Sequence, residues 1–515
     1  MFTQIYSGGI EAVEGYIVSV EADVSDGLPG FSISGQLASE VRESQERVRT
    51  ALKNSGFHLP AKKITVNLSP AGVRKGGTAF DLSIAVAMLG AFGLVDTGCL
   101  KSSMVIGELG LNGRVKPVTG VLSLVAAARE YGLKRCFLPG ENKREGMVIE
   151  GMEVLGVRSL EHMIAMLREE EDIEKGLEEA NEISDTAHYD GTQTYDVDYR
   201  EVNGQLVLRR AAEVAAAGMH GLLMNGSAGS GKTMVASRIP TILPALSREE
   251  DIEISKIYSV CGLLPPNSSL LSRRPFRNPH HTITPQGLTG GGLPPRPGEL
   301  SLASGGVLFL DELPLFSRAA IEVLRQPLEE RRITVSRVTG TYEFPADFMI
   351  VAAMNPCPCG FYPDRSRCSC SELQIHTYLN RISRPILERF DICAEAAPVS
   401  FYELNQENAA NEDSASIRSR VEMARKIQKK RFEGKKIRFN SRMGQSEIKQ
   451  FCKLGREEQA FARQVYESRG ISARGYHKVL KVARTIADLA GEENIQREHL
   501  AEAFGYRTLE EKLWG

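Results

Sequence analysis

The sequence predicts an α/β chain in which a phosphate-binding loop sits on a parallel sheet and a basic helical region follows. Three observations carry that prediction. Short apolar runs ending in polar residues recur at Gly221–Gly226 (GLLMNG), Gly306–Glu312 (GVLFLDE) and Phe348–Asn355 (FMIVAAMN), as strands covered on both faces require. The first run opens directly into a glycine-rich loop and a helix-compatible stretch, Thr233–Ile239. After about residue 398 the pattern turns helical, with twenty Lys/Arg against six Glu between Arg418 and Arg484, a net of +14.

The chain has 515 residues and a formal net charge of −2, enough for three or four domains at about 150 residues each. With 42% hydrophobic residues it has material for several cores, which excludes a disordered, collagen-like or disulfide-dense chain. Near-neutrality argues against nucleic acid only until the charge is resolved by segment. No run of apolar residues is long enough for a membrane span, and the N-terminus has no basic region followed by an apolar one. The expected compartment is the cytoplasm, with no membrane partner.

In chain order, residues 1–165 form a first α/β domain. Strand-like alternation at Tyr16–Val24, Lys62–Leu68 and Met104–Leu109 is interleaved with helical runs at Ala79–Ala91 and Gly120–Tyr131. Residues 166–196 form an acidic linker; between Arg168 and Asp190 ten acids face two bases, a net of −8. Residues 197–397 form the nucleotide-binding core, and 398–515 a basic helical lid.

Gly226-Ser227-Ala228-Gly229-Ser230-Gly231-Lys232-Thr233 fits the P-loop pattern in full. Its glycines let backbone N–H groups face phosphates, Lys232 reaches the β/γ-phosphates, and the Thr233 hydroxyl can ligate Mg²⁺. The expected ligand is therefore ATP with Mg²⁺. The second apolar run delivers Asp311 and Glu312 at its end, the first to hold Mg²⁺ and the second to polarise water as general base. The third ends at Asn355, an amide that can orient water or contact the γ-phosphate without adding negative charge. Arg381, Arg384 and Arg389 follow within nine positions. An arginine from a neighbouring subunit can stabilise transition-state charge.

Four of the nine cysteines crowd into two C-x-C pairs, Cys357/Cys359 and Cys368/Cys370. They can hold a structural Zn²⁺ or stand as reduced thiols. His280 and His281 lack a partner cluster in sequence, so a structural or DNA-facing role is favoured over metal.

These residues resemble the AAA+ ATPases, and specifically the magnesium-chelatase-like family. The resemblance covers nearly the whole chain, through Arg277–Thr282 (RNPHHT), Pro297–Ala303, Gly306–Pro314, Asn355–Gly360 (NPCPCG) and Ser472–Asp488. It implies that Asn355 is the sensor-1 residue, Arg389 the arginine finger and Arg474 the sensor-2 arginine of the lid. It implies a homo-oligomeric ring, a hexamer, acting on single-stranded or branched DNA as a branch-migration helicase. Two insertions would face its pore: Arg277–Pro297 with His280 and His281, and a hairpin with Arg331, Arg332 and Arg337. Basic loops can track a nucleic-acid backbone without reading sequence; the alternative is an ordinary surface hairpin. The competing function is a chelatase-like or protein-remodelling ATPase acting on a protein partner.

Two departures stand out. The loop lacks the prolines common after the first glycine, and Arg384 stands where relatives tend to have Gly. The first domain resembles a Lon-protease-type fold, the ribosomal S5 domain 2-like class. Thr78 falls at the nucleophile position and Leu124 where the base lysine belongs. A hydroxyl without a base is a weak nucleophile, so the expected enzyme is an ATPase and not a peptidase.

Overall fold

The computed structural model describes residues 1–168, 195–265, 268–337, 340–398 and 411–509, so most of the expected acidic linker lies outside the described residues. Strands β1 (Phe2–Glu11), β2 (Glu14–Ser25), β3 (Gly30–Ser34), β4 (Lys63–Ser69), β5 (Ser103–Val105), β6 (Glu108–Leu109), β7 (Val115–Lys116), β8 (Arg135–Pro139) and β9 (Glu153–Val157) precede residue 158. Seven of them form one mixed sheet in the order β3-β4-β2-β1-β5-β8-β9, while β6 and β7 pair separately. In β2 the period-2 pattern is plain: Val18, Val20, Ala22 and Val24 are buried while Glu21 and Asp23 are not. The helix Asp81–Ala91 is buried along its whole length. Its Asp81 is ionically matched inside the domain, accepting from Arg47 Nε at 2.8 Å and from the Leu109 N–H at 3.2 Å.

The second sheet contains β10 (Leu222–Asn225), β11 (Phe276–Arg277), β12 (Val307–Leu310), β15 (Met349–Met354) and β16 (Ile392–Glu395), with β13 (Arg332–Arg337) and β14 (Gly340–Pro345) forming a separate antiparallel hairpin. Its spatial order is β11-β12-β15-β10-β16, and every neighbouring pair is parallel. All residues of β10, β12 and β15 are buried, which is why each reads as an uninterrupted apolar run.

The two α/β regions are joined by packing. Helix Val121–Glu130 lies against helix Arg248–Cys261, the Gly120 N–H donates to Ser259 O at 3.0 Å, and Lys256 reaches Glu14 at 3.4 Å. Among the described residues no helix is long and apolar enough to cross a membrane.

The C-terminal region is helical, with helices at Ser414–Arg431, Gln445–Phe451, Arg456–Arg469, Ala473–Ala490 and Arg497–Gly505. Its charge is not all surface charge. Asp488, fully buried, accepts from Arg431 Nη1 at 2.6 Å, Arg484 Nε at 3.0 Å and Asn440 Nδ2 at 2.7 Å. Arg431 and Arg484 are thus spent inside the fold, while Lys429, Lys430, Lys435 and Lys436 are exposed. A polar bridge ties this region to the sheet: His220 Nδ1 contacts Asp391 at 2.8 Å and His220 Nε2 contacts Thr485 Oγ1 at 2.8 Å. Burial pushes the Asp391 carboxyl up, but the bond to His220 and the nearby Lys478 and Lys481 charges outweigh it and hold it below its usual range.

Replacing Asp488 with Ala strands two partly or fully buried guanidiniums. The expected loss is about 3–5 kcal/mol, read by chemical denaturation followed through the helical signal; a loss below about 1 kcal/mol would contradict this packing.

Candidate nucleotide site

Parallel strands leave their sheet by the same edge, so the segments after β10, β12 and β15 converge. After β10 the chain turns at Gly226 and enters the helix Lys232–Ile242 through Gly229 (φ +75°) and Gly231 (φ +83°). These left-handed turns are the reason for glycine there, since a built Cβ at either position meets open space. The loop is therefore a concave cradle at a helix N-terminus, fit for a phosphate chain.

Lys232 is buried, and its ammonium donates to Gly226 O and Ser227 O at 2.8 Å and to Asn355 Oδ1 at 3.2 Å. Burial pushes its pKa down, opposed by the charges of Asp311 and Glu312. Thr233 Oγ1 donates to Asp311 Oδ2 at 2.8 Å, and the Glu312 N–H donates to Asp311 Oδ1 at 2.9 Å. Glu312 itself has φ +52°, a conformation that costs a non-glycine residue of order 1–3 kcal/mol and is characteristic of functional sites. Lys232, Thr233, Asp311, Glu312 and Asn355 thus lie together.

Three residues of this neighbourhood are not evident from sequence. Tyr378, in the helix Glu372–Leu379, meets the Asn355 backbone and lies near Glu312 and Cys357; burial pushes its phenol up to about 12. Gln205, with φ +53°, donates to Ala397 O at 2.5 Å beside Ala396, which touches Gly226. His281 Nδ1 stands 3.8 Å from Glu312 Oε2, with its ring edge-on to Phe316. The sequence places His281 with His280 in the Arg277–Pro297 insertion as a structural or DNA-facing residue, with no sign of its approach to Glu312. His280, in contrast, is exposed, stacks near His281 and contacts Thr282 Oγ1 at 2.8 Å.

Arg389 and Arg474 are elsewhere. The Arg389 carbonyl lies against Gly221, just before β10 begins. Four residues of strand at about 3.3 Å each separate that edge from the loop, roughly 13 Å. Arg389 pairs with Glu329, and its Nε is buried without a partner. Arg474 is 82% exposed and pairs with Glu388 at 3.0 Å. The lid arginine therefore stands beside Arg389 and does not reach over the chain's own P-loop.

The hairpin β13–β14 forms as the sequence predicts, with register pairs from Arg332↔Pro345 to Arg337↔Gly340. Its arginines differ. Arg331 closes the preceding helix at φ +58°, half-buried, with its Nε 3.9 Å from Asp347 Oδ1. Arg332 is exposed but paired with Glu330 and Glu343. Arg337 is exposed, and its Nη2 lies 3.4 Å from where a Cβ on Gly291 would stand, which joins the hairpin to the other insertion.

The four cysteines form one cluster, all thiols within 4.8 Å of one another. In the first domain the Thr78 hydroxyl donates to Glu108 at 2.5 Å, and Leu124 is buried in the core.

Comparison with known proteins fits this layout. The family descriptions "Magnesium chelatase, subunit ChlI", "Subunit ChlI of Mg-chelatase" and "Magnesium chelatase, subunit ChlI C-terminal" match residues 198–404, 20–142 and 411–507. Competence protein ComM of Haemophilus influenzae is 40% identical over 98% of this chain and 97% of its own length. The protein YifB of Escherichia coli is 38% identical over 96% of this chain and 95% of its own. Lon protease of Finegoldia magna is 31% identical over 140 residues, 26% of this chain and 18% of its own length.

Substituting Gly231 with Ala forces a side chain into the left-handed region at a cost of about 1–2 kcal/mol. ATP affinity, measured with a fluorescent analogue, is expected to fall about tenfold; unchanged affinity would mean that the cradle geometry is not what binds the nucleotide.

Proposed function

This chain belongs to the magnesium-chelatase-like AAA+ family of which competence protein ComM is a member, and on that premise we propose that it is an ATP-driven motor that acts on DNA. The family implies an ATPase. The finer reading is a ring, a hexamer, that moves along single-stranded or branched DNA and promotes branch migration in recombination or transformation.

One observation carries the reading: Lys232, Asn355, Thr233 and Asp311 form a connected set at one sheet edge, while Arg389 and Arg474 stand at the other. A single chain then holds half a site at each edge, as head-to-tail assembly into a ring requires. ATP is the substrate. The Lys232 ammonium binds the β- and γ-phosphates, and the loop N–H groups cradle them. Thr233 and Asp311 would hold Mg²⁺, which neutralises phosphate charge when bound. Glu312 accepts a proton from water as the water oxygen bonds to the γ-phosphorus and the bond to the ADP oxygen breaks. Asn355 orients the water, and Arg389 of a neighbouring copy meets the charge developing on the leaving oxygens.

DNA as the partner is supported by charge and by kinship. Arg332 and Arg337 are exposed on the hairpin, and Arg337 lies beside the Gly-rich insertion. Exposed Lys429, Lys430, Lys435 and Lys436 add a basic face to the lid. The name of the relative ComM points to competence. In the first domain, Leu124 is buried in the core at the place where the Lon-type fold carries its base lysine, and this supports a non-peptidase role.

ATPase rate should rise severalfold with single-stranded or branched DNA at low salt, and this stimulation should fade as salt is raised. Glu312→Gln should keep ATP binding and lose about 10²-fold or more in turnover. No stimulation by any DNA, together with no DNA binding at low salt, would sink the DNA reading and leave a protein partner.

A further inference from the structure

We propose that Cys357, Cys359, Cys368 and Cys370 bind one Zn²⁺ ion, and that this ion fixes the turn which holds Gly360 and Asn355 against the P-loop. The thiol geometry fits. The Sγ atoms are 3.3 Å apart for Cys357 and Cys359, 3.5 Å for Cys359 and Cys368 and 3.8 Å for Cys357 and Cys368. Four thiolates at about 2.3 Å from a tetrahedral zinc stand roughly 3.8 Å from one another. All four cysteines are free of disulfides. Cys357, Cys368 and Cys370 are buried and Cys359 is half-buried, so the four sulfurs are largely shielded from water, as in a closed metal site.

The surroundings match a closed metal site. The Tyr362 N–H donates to Cys357 Sγ at 3.4 Å, the kind of outer bond that orients a ligating sulfur. Zinc with four thiolates carries a net charge of −2, and Arg365 and Arg367 lie in the same turn. Arg365 donates to Cys370 O at 3.0 Å over the Tyr362 ring, and Arg367 lies over Phe361. Binding replaces the thiol protons, which go to solvent. With four protein ligands no position is left open, so the ion is structural and takes no part in the chemistry.

What it holds in place is the sensor segment. Cys357 follows Asn355 by two residues, and the chain then turns at Gly360, whose N–H donates to Cys357 O at 3.0 Å. A Cβ on Gly360 would lie 3.5 Å from Ala228 N in the P-loop and 3.9 Å from Asn355 Cγ, with φ +84°. The second pair of ligands leads straight into the helix Glu372–Leu379, which sends Tyr378 back to Asn355. Both ends of the turn therefore reach Asn355, one at its side chain and one at its backbone, and the metal clamps them together. The zinc site stands on its own geometry; the coupling to turnover rests on the nucleotide reading above.

Metal analysis of the purified full-length protein tests the site without reference to activity. About one zinc per chain is expected, released when a mercurial titrates the thiols and lost in Cys368→Ser. Folded protein without zinc, or with a disulfide among these four residues, would overturn the site. The coupling is tested by Gly360→Ala, which keeps all four ligands. Retained zinc with ATP turnover reduced about tenfold is expected, and retained zinc with turnover unchanged would overturn the clamp. A wild-type chain that holds zinc but hydrolyses no ATP would refute the nucleotide reading and leave the metal site standing.

Discussion

The direction of five strands governs this molecule. Because β10, β12 and β15 run parallel, with Asn225 opposite Met354 and Leu310 opposite Ala352, their carboxyl ends emerge side by side. That register brings Lys232 within hydrogen-bonding reach of Asn355, 123 positions along the chain, and Thr233 within reach of Asp311. Each strand is short and fully buried, so a slip of one residue would turn apolar side chains toward nothing that could replace their packing. The site is a property of the register, with the glycine loop as its local finish.

The same direction fixes what lies far from the P-loop. The amino ends of the strands carry Arg389, and the lid is fastened to that edge through the Asp391–His220–Thr485 bridge and through Lys478, which donates to Phe390 O at 2.9 Å. Arg474, at the start of the helix Ala473–Ala490, is carried to Glu388 by that attachment. Both arginines are thus anchored at the edge opposite the chain's own P-loop. The polar bridge is worth its burial because its members are matched: His220 uses both ring nitrogens, and Thr485 Oγ1 also accepts from Asn440 Nδ2, which donates in turn to Asp488.

The P-loop, Asp311, Glu312 and Asn355 were legible in the sequence because each lies directly after an apolar run, so local pattern and tertiary position coincide. The Lon-like first domain was legible through resemblance, and the similarity to Lon protease supports it. The proximity of His281 and Tyr378 to the site was not legible, since each arrives on an element whose path is set by long-range packing. Charge counting also misled in part. The +14 stretch contains Arg431 and Arg484, which are neutralised by Asp488 inside the fold, and Arg331 is held at a helix end beside Asp347. Sequence gives the sign of a region, and only packing shows which charges face water.

The central claim is that each active centre is completed by a second copy of the chain. The direct measurement is ATP turnover in a mixture of two inactive variants, Lys232→Ala and Arg389→Ala, at equal concentration. Mixed assemblies pair an intact P-loop on one copy with an intact Arg389 on its neighbour, so turnover should reappear well above the sum of the two alone. A mixture no more active than its components, in assemblies shown to contain both, would contradict the account.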